Sequence, residues 1–259
     1  MTVDLQNAST PPRFMAKDYR YANAPIVEAL IELRCQLPPE TTLDVLGQLA
    51  DDDPTYPTAE PRVEFTAQIE GSSAGIAGRQ LGHLFRRSDG LRAIQAVLDR
   101  FIYSWLPPYE TWEPFVAEAE EWWLKYRQLA RPQHINRVGV RFINKIEIPA
   151  PQVEISDYLR TNVQLSPVLP QELEGFFMQT AILLTEYSSK CQIVSTVVPP
   201  SGPDRTALIL DIDVWKDVDL PVPSDQLDEV INSSLSELRA AKNFVFEASI
   251  TDATRMVIN

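Results

Sequence analysis

Histidine and cysteine are nearly missing from this sequence, with two residues of each, and glycine is sparse at nine. These shortages exclude much. A hydrolytic triad needs a histidine beside a nucleophile, and no G-x-S-x-G or comparable turn accompanies His83 or His134. His83 stands at the start of a strand-like run and His134 at a helix-to-strand junction. No C-x-x-C, H-E-x-x-H or EF-hand spacing occurs, and there is no phosphate-cradling G-x-x-x-x-G-K-[ST] or dinucleotide fingerprint. The sequence therefore gives no catalytic residue, no metal site and no cofactor. Cys35 and Cys191 lie in strand-like stretches and read as reduced, buried side chains of a cytoplasmic protein, with a disulfide between the halves as the alternative. No apolar run approaches the ~18 residues of a membrane span. Met1 to Arg20 has no basic start followed by an apolar block, so it does not read as a secretory signal.

What is present is acid. Lys and Arg number 23 against 36 Asp and Glu, a net charge of −13. Such a surface repels nucleic-acid phosphates, favours solubility and suits a basic protein partner. Asp51-Asp52-Asp53 reads as a solvated turn rather than a cation site. With 44% hydrophobic residues the chain can bury a core.

The chain is organised around Arg137 to Pro149, a strand with Val138, Val140, Phe142, Asn144, Ile146 and Ile148 on one face. Arg137, Gly139, Arg141, Ile143, Lys145 and Glu147 take the other face. An earlier strand, Ile26 to Cys35, has the same character, with Val27, Ala29, Ile31, Leu33 and Cys35 on its apolar side. Each opens a similar series. In the first half, strands are expected at Arg62–Ile69, Gly82–Arg87 and Leu91–Trp105, with a flexible connection at Gly71–Gly78 and a hairpin at Asp89-Gly90. A helix follows at Trp112–Ala130, N-capped by Thr111, whose aromatic stripe reads as core covering a sheet. In the second half, strands are expected at Phe176–Tyr187, Cys191–Val198 and Arg205–Trp215, then a helix capped by Ser224 and a further helix or helix pair over Asn243–Asn259. The expected fold is α+β: two pseudo-symmetric repeats, each an antiparallel sheet of about four strands covered by a long helix. The expected divisions are a polar tail at 1–20, a first repeat at 21–131 and a second at 132–259.

If the two opening strands meet at a seam, Glu28, Glu32 and Arg34 come near Arg137, Arg141, Lys145 and Glu147. Arg137 and Arg141 lie about 13 Å apart on one strand face. Arg34, Arg137, Arg141 and Lys145 can hold an anion, with Asn144 orienting it from the other face where a bulge permits. The competing reading is cross-strand salt bridging with Glu28, Glu32 and Glu147. Asp211 and Asp213 alternate on a later strand and can meet a metal with Glu186, although ion pairing suits them better.

Tyr21 to Glu32, Arg137 to Pro149 and Phe246 to Thr251 resemble the N-terminal, central and C-terminal signatures of a sporadically distributed prokaryotic family of uncharacterised proteins of about this length. No assigned activity comes with that resemblance. The family's patchy distribution implies an accessory role, as in defence or toxin–antitoxin loci. The order of four strands and a helix is also similar to SecB-type chaperones, by fold-level analogy alone. The leading expectation is a non-catalytic cytoplasmic protein-binding module of antitoxin, immunity or chaperone-like kind, compatible with a homodimer. The alternative is a nucleotide- or anion-binding protein or enzyme with its site in the seam.

Overall fold

The computed structural model describes residues 20–70 and 73–259, with side chains described except at 65–77. The expected tail at 1–20 lies outside the described residues apart from Arg20, as do Gly71 and Ser72 of the expected flexible connection. The elements in chain order are β1 (Ile26–Gln36), α1 (Leu43–Gly47), β2 (Ala59–Glu70), β3 (Ser73–Arg86), β4 (Arg92–Val97), β5 (Arg100–Trp105) and α2 (Trp112–Ala130). There follow β6 (His134–Ile148), β7 (Phe177–Leu184), β8 (Ser189–Val198), β9 (Thr206–Pro221), α3 (Leu227–Ser249) and α4 (Asp252–Ile258).

Among the described residues the strands form one antiparallel sheet of nine, in the order β2-β3-β4-β5-β1-β6-β9-β8-β7. This corrects the expectation of two four-stranded sheets, each with its own covering helix. The opening strands do meet, as the seam required, but they pair backbone to backbone along their length. Ile26 opposes Asn144 and Gln36 opposes His134, with Ala29 opposite Phe142 and Leu33 opposite Val138 between them. The physical reason is the backbone itself. Separate sheets would leave β1 and β6 as long edges with unpaired N–H and C=O groups, and each strand satisfies the other's.

Alternation decides what each face does. Ala29, Ile31, Leu33, Val138, Val140, Phe142, Ile212 and Val214 project to one side and are buried. The helices pack there. From α2, Phe115 meets Tyr103 at 6.0 Å and Trp123 meets Phe101 at 5.8 Å between ring centroids. The Tyr126 hydroxyl donates to the Val97 carbonyl at 2.8 Å. The aromatic stripe is thus core. From α3, Lys242 Nζ lies 4.0 Å from the Phe142 ring centroid. Both cysteines are buried free thiols, and burial pushes each up to about 12, far from a reactive thiolate.

Several local expectations need correction. The stretch read as one strand from Leu91 to Trp105 folds back at Leu98-Asp99 into β4 and β5, giving the first half five strands. Most of the expected connection at 71–78 belongs to β3, which pairs with β2 in a long hairpin. Thr111 has the extended backbone of an N-cap but makes no side-chain capping bond. Helix α3 starts at Leu227 rather than directly after Ser224, whose hydroxyl accepts only a 3.4 Å bond from the Gln226 N–H.

At Gly82, β3 lies tightly against the backbone of β4. A Cβ there would lie 2.7 Å from Val97 Cα, against backbone that cannot swing aside. Gly82→Ala is expected to cost ~1–3 kcal/mol, typical of overpacking. Urea unfolding measures this, and an unchanged midpoint would contradict the close approach.

Candidate functional site

The candidate site is the middle of the sheet face opposite the helices. It is built from alternate residues of β5, β1, β6 and β9. Glu32 is its hub. Arg34 Nε donates to it at 2.8 Å, while Arg100 and Arg137 each approach at 3.3 Å. Arg137 continues the chain of charge by giving Asp213 two bonds, at 2.9 and 2.7 Å. Arg141 donates to Asp211 at 2.8 Å, and Lys145 pairs with Glu147 at 2.7 Å. Ser201 closes that end of the lattice, its hydroxyl donating to Glu147 at 2.7 Å.

Glycine makes room for this arrangement. Gly139 stands between Arg137 and Trp215, and a Cβ there would lie 3.3 Å from both Arg137 Nε and Trp215 Cβ. Without that Cβ, Arg137 lays its guanidinium along the strand, 4.4 Å from the Trp215 ring centroid. Reaching Asp213 with Nη2 and Glu32 with Nη1 while lying over Trp215 uses the planar, forked guanidinium, which a lysine would not supply.

The electrostatics follow from depth. Burial, with the Glu32 charge added, pushes the Asp213 carboxyl above its ordinary value against the pull of Arg137. The hydrogen bond to Asp211 raises Arg141 and keeps it charged. A separate cluster lies on the helix side. Arg92, 5% exposed, donates to Glu118 at 2.9 Å and stacks 3.2 Å from the Trp105 ring centroid. Tyr103 also donates to Glu118. Burial opposes ionisation of Glu118, but these two donors outweigh it and hold the carboxyl below its ordinary value.

Of the residues expected to line a seam site, Arg34, Arg137, Arg141 and Lys145 share one face, and each has a carboxylate partner. Asn144 is not with them. It projects to the helix side, 3% exposed, and its amide donates to the Phe142 and Leu210 carbonyls at 3.2 and 3.0 Å. The pairing of β1 with β6 does shift register beside it, between Ile26 and Glu28, but the shift leaves Asn144 buried on the helix side. Asp211 and Asp213 are ion-paired, the role expected to suit them better than metal binding. Arg100, Gly139 and Trp215 were missed as site members. Arg100 belongs to a hairpin with no Gly or Pro to mark it, and the roles of the other two depend on cross-strand register.

Between the charges stand apolar side chains. Leu30, Ile102, Ile143 and Ile209 point to this face and are partly exposed. A groove of about 980 Å³ lies apart, between residues 151–174 and the ends of β8 and β9. Its charged lining, Arg205 with Glu154, Glu172 and Glu174, is mainly acidic. Among the described residues, no group of three or more His, Cys, Asp or Glu is placed to hold a metal ion. A scan against protein-family models and a search of curated proteins found no match to this chain.

Removing one partner from a buried ion pair costs ~3–5 kcal/mol, whereas exposed pairs contribute ~0–1 kcal/mol. The Arg137 side chain is 12% exposed and that of Arg141 is 42% exposed. Arg137→Ala is therefore expected to destabilise the fold more than Arg141→Ala, by at least ~1 kcal/mol. Equal losses in denaturant titrations would contradict this ranking.

Proposed function

We propose that the chain is a non-catalytic, cytoplasmic protein-binding module whose helix-free sheet face engages a basic protein partner. The observation that carries this reading is the state of the seam lattice. Its cations are already matched by carboxylates within the sheet, so an incoming nucleotide or phosphate would have to displace Asp211, Asp213 or Glu32 from their arginines. A protein surface needs no such displacement. It can lie across the paired charges and bury Leu30, Ile102, Ile143 and Ile209 between them, giving an apolar centre with a polar surround. The net charge of −13 supplies attraction and faster encounter with a basic partner. Among the described residues no helix is long and apolar enough to cross a membrane. The resemblance to a patchily distributed prokaryotic family fits an antitoxin, immunity or chaperone-like accessory role.

The test compares proteins bound from the host lysate by the wild type and by the Leu30→Asp/Ile143→Asp double variant. Both positions are partly exposed on the sheet face, so the variant is expected to keep the wild-type circular dichroism. The expected result is a basic protein bound stoichiometrically by the wild type, weakened by added salt and lost in the variant. A partner retained equally by both proteins would contradict the proposed face.

A further inference from the structure

An open sheet has two edges, and this one treats them differently. At one end, β2 carries Glu60, Pro61, Arg62, Glu64 and Glu70. Charge and proline on an edge strand are the usual devices that stop another strand from adding to it. At the other end, β7 reads Phe-Met-Gln-Thr-Ala-Ile-Leu-Leu, without a charge or a proline. Its side chains are also uncovered: Phe177 is 68% exposed, Ile182 41% and Leu183 71%. An edge left unguarded and apolar is a pairing surface.

We infer that β7 is the contact between two copies of this chain, joined as antiparallel neighbours in one continuous sheet. The strand's own symmetry suits a second copy. A two-fold axis normal to the sheet keeps each residue on its own face, so paired residue numbers must sum to an even value. With the axis at Thr180, Phe177 faces Leu183 of the second copy, Met178 faces Ile182, and Gln179 faces Ala181. The exposed apolar residues at one end of the strand then meet those at the other, twice over. Leu184, already buried at 8%, falls outside the symmetric segment. Charge points the same way. Two chains of −13 repel one another over most approaches, and β7 is an uncharged strand through which they can join. This inference is independent of the proposed binding face, which lies at the centre of the sheet.

The test uses the full chain in sedimentation and light-scattering series over concentration. The wild type is expected to reach twice its 29.3 kDa mass. The Gln179→Lys/Ala181→Lys variant, altered at two exposed positions, is expected to keep its circular dichroism and lose the dimer. Register is read by cysteine cross-linking. Directly opposed residues lie about 4.5–5.5 Å apart at Cα, inside the ~4.4–6.8 Å disulfide range. Thr180→Cys is therefore expected to give a covalent dimer on mild oxidation. Gln179→Cys, whose copies would lie about 8 Å apart, is expected to give little. The buried native thiols do not compete. A monomer at every concentration, a dimer indifferent to the lysines, or equal cross-linking at 179 and 180 would overturn the inference. So would a monomer that carries a foreign extended peptide on β7.

Discussion

β1 and β6 are the innermost strands of the two halves of the chain, and each pairs with a strand of its own half on one side only. β5 lies beside β1 and β9 beside β6. The hydrogen-bonding groups on the inner sides of β1 and β6 are satisfied by each other. The rest of the molecule follows from that pairing. Because the sheet is continuous, α2 and α3 cover one shared face, and their apolar residues join a single core with Phe142 of β6. The opposite face is freed from packing duties and can carry charge.

The ionic lattice depends on the same pairing. Glu32 stands on β1 while Arg137 and Asp213 stand on β6 and β9, so their contacts exist only when three strands are in register. Paired buried charges are a weak source of stability, since desolvation offsets much of their attraction, but breaking one pair is costly. Their larger effect is on register. A slip of one residue would turn Arg137 toward the helices and Val138 toward solvent. Gly139 and Trp215 strengthen this selection, because only in the native register does the guanidinium reach across Gly139 to the Trp215 ring. Such a lattice leaves the face polar, with apolar side chains in the gaps.

Much of this was legible in the sequence where side-chain period carries the signal. The alternation in Ile26–Cys35 and Arg137–Ile148 gave the strands, their buried sides and the grouping of Arg34, Arg137, Arg141 and Lys145. The aromatic spacing in Trp112–Ala130 located α2 and its core-facing side. Period is silent on which strand edges join, so the fusion into nine strands was out of reach, and two smaller sheets accounted for the same pattern. It is equally silent on turns without Gly or Pro, which hid the Leu98-Asp99 reversal and with it Arg100 of β5. Asn144 was misplaced for a different reason. Its polarity suggested a site, whereas its parity placed it in the core, and the backbone carbonyls of Phe142 and Leu210 satisfy it there.

The continuity of the sheet across the β1–β6 seam is open to native-state hydrogen exchange resolved by peptide or residue. Central strands exchange only on near-global opening, whereas edge strands exchange through local fraying. Amides of residues 26–36 and 134–148 are expected to be among the slowest in the protein, to exchange with similar free energies and to be slower than those of β2 and β7. Fast, edge-like exchange along either β1 or β6, or two separate unfolding units divided between them, would contradict a single continuous sheet.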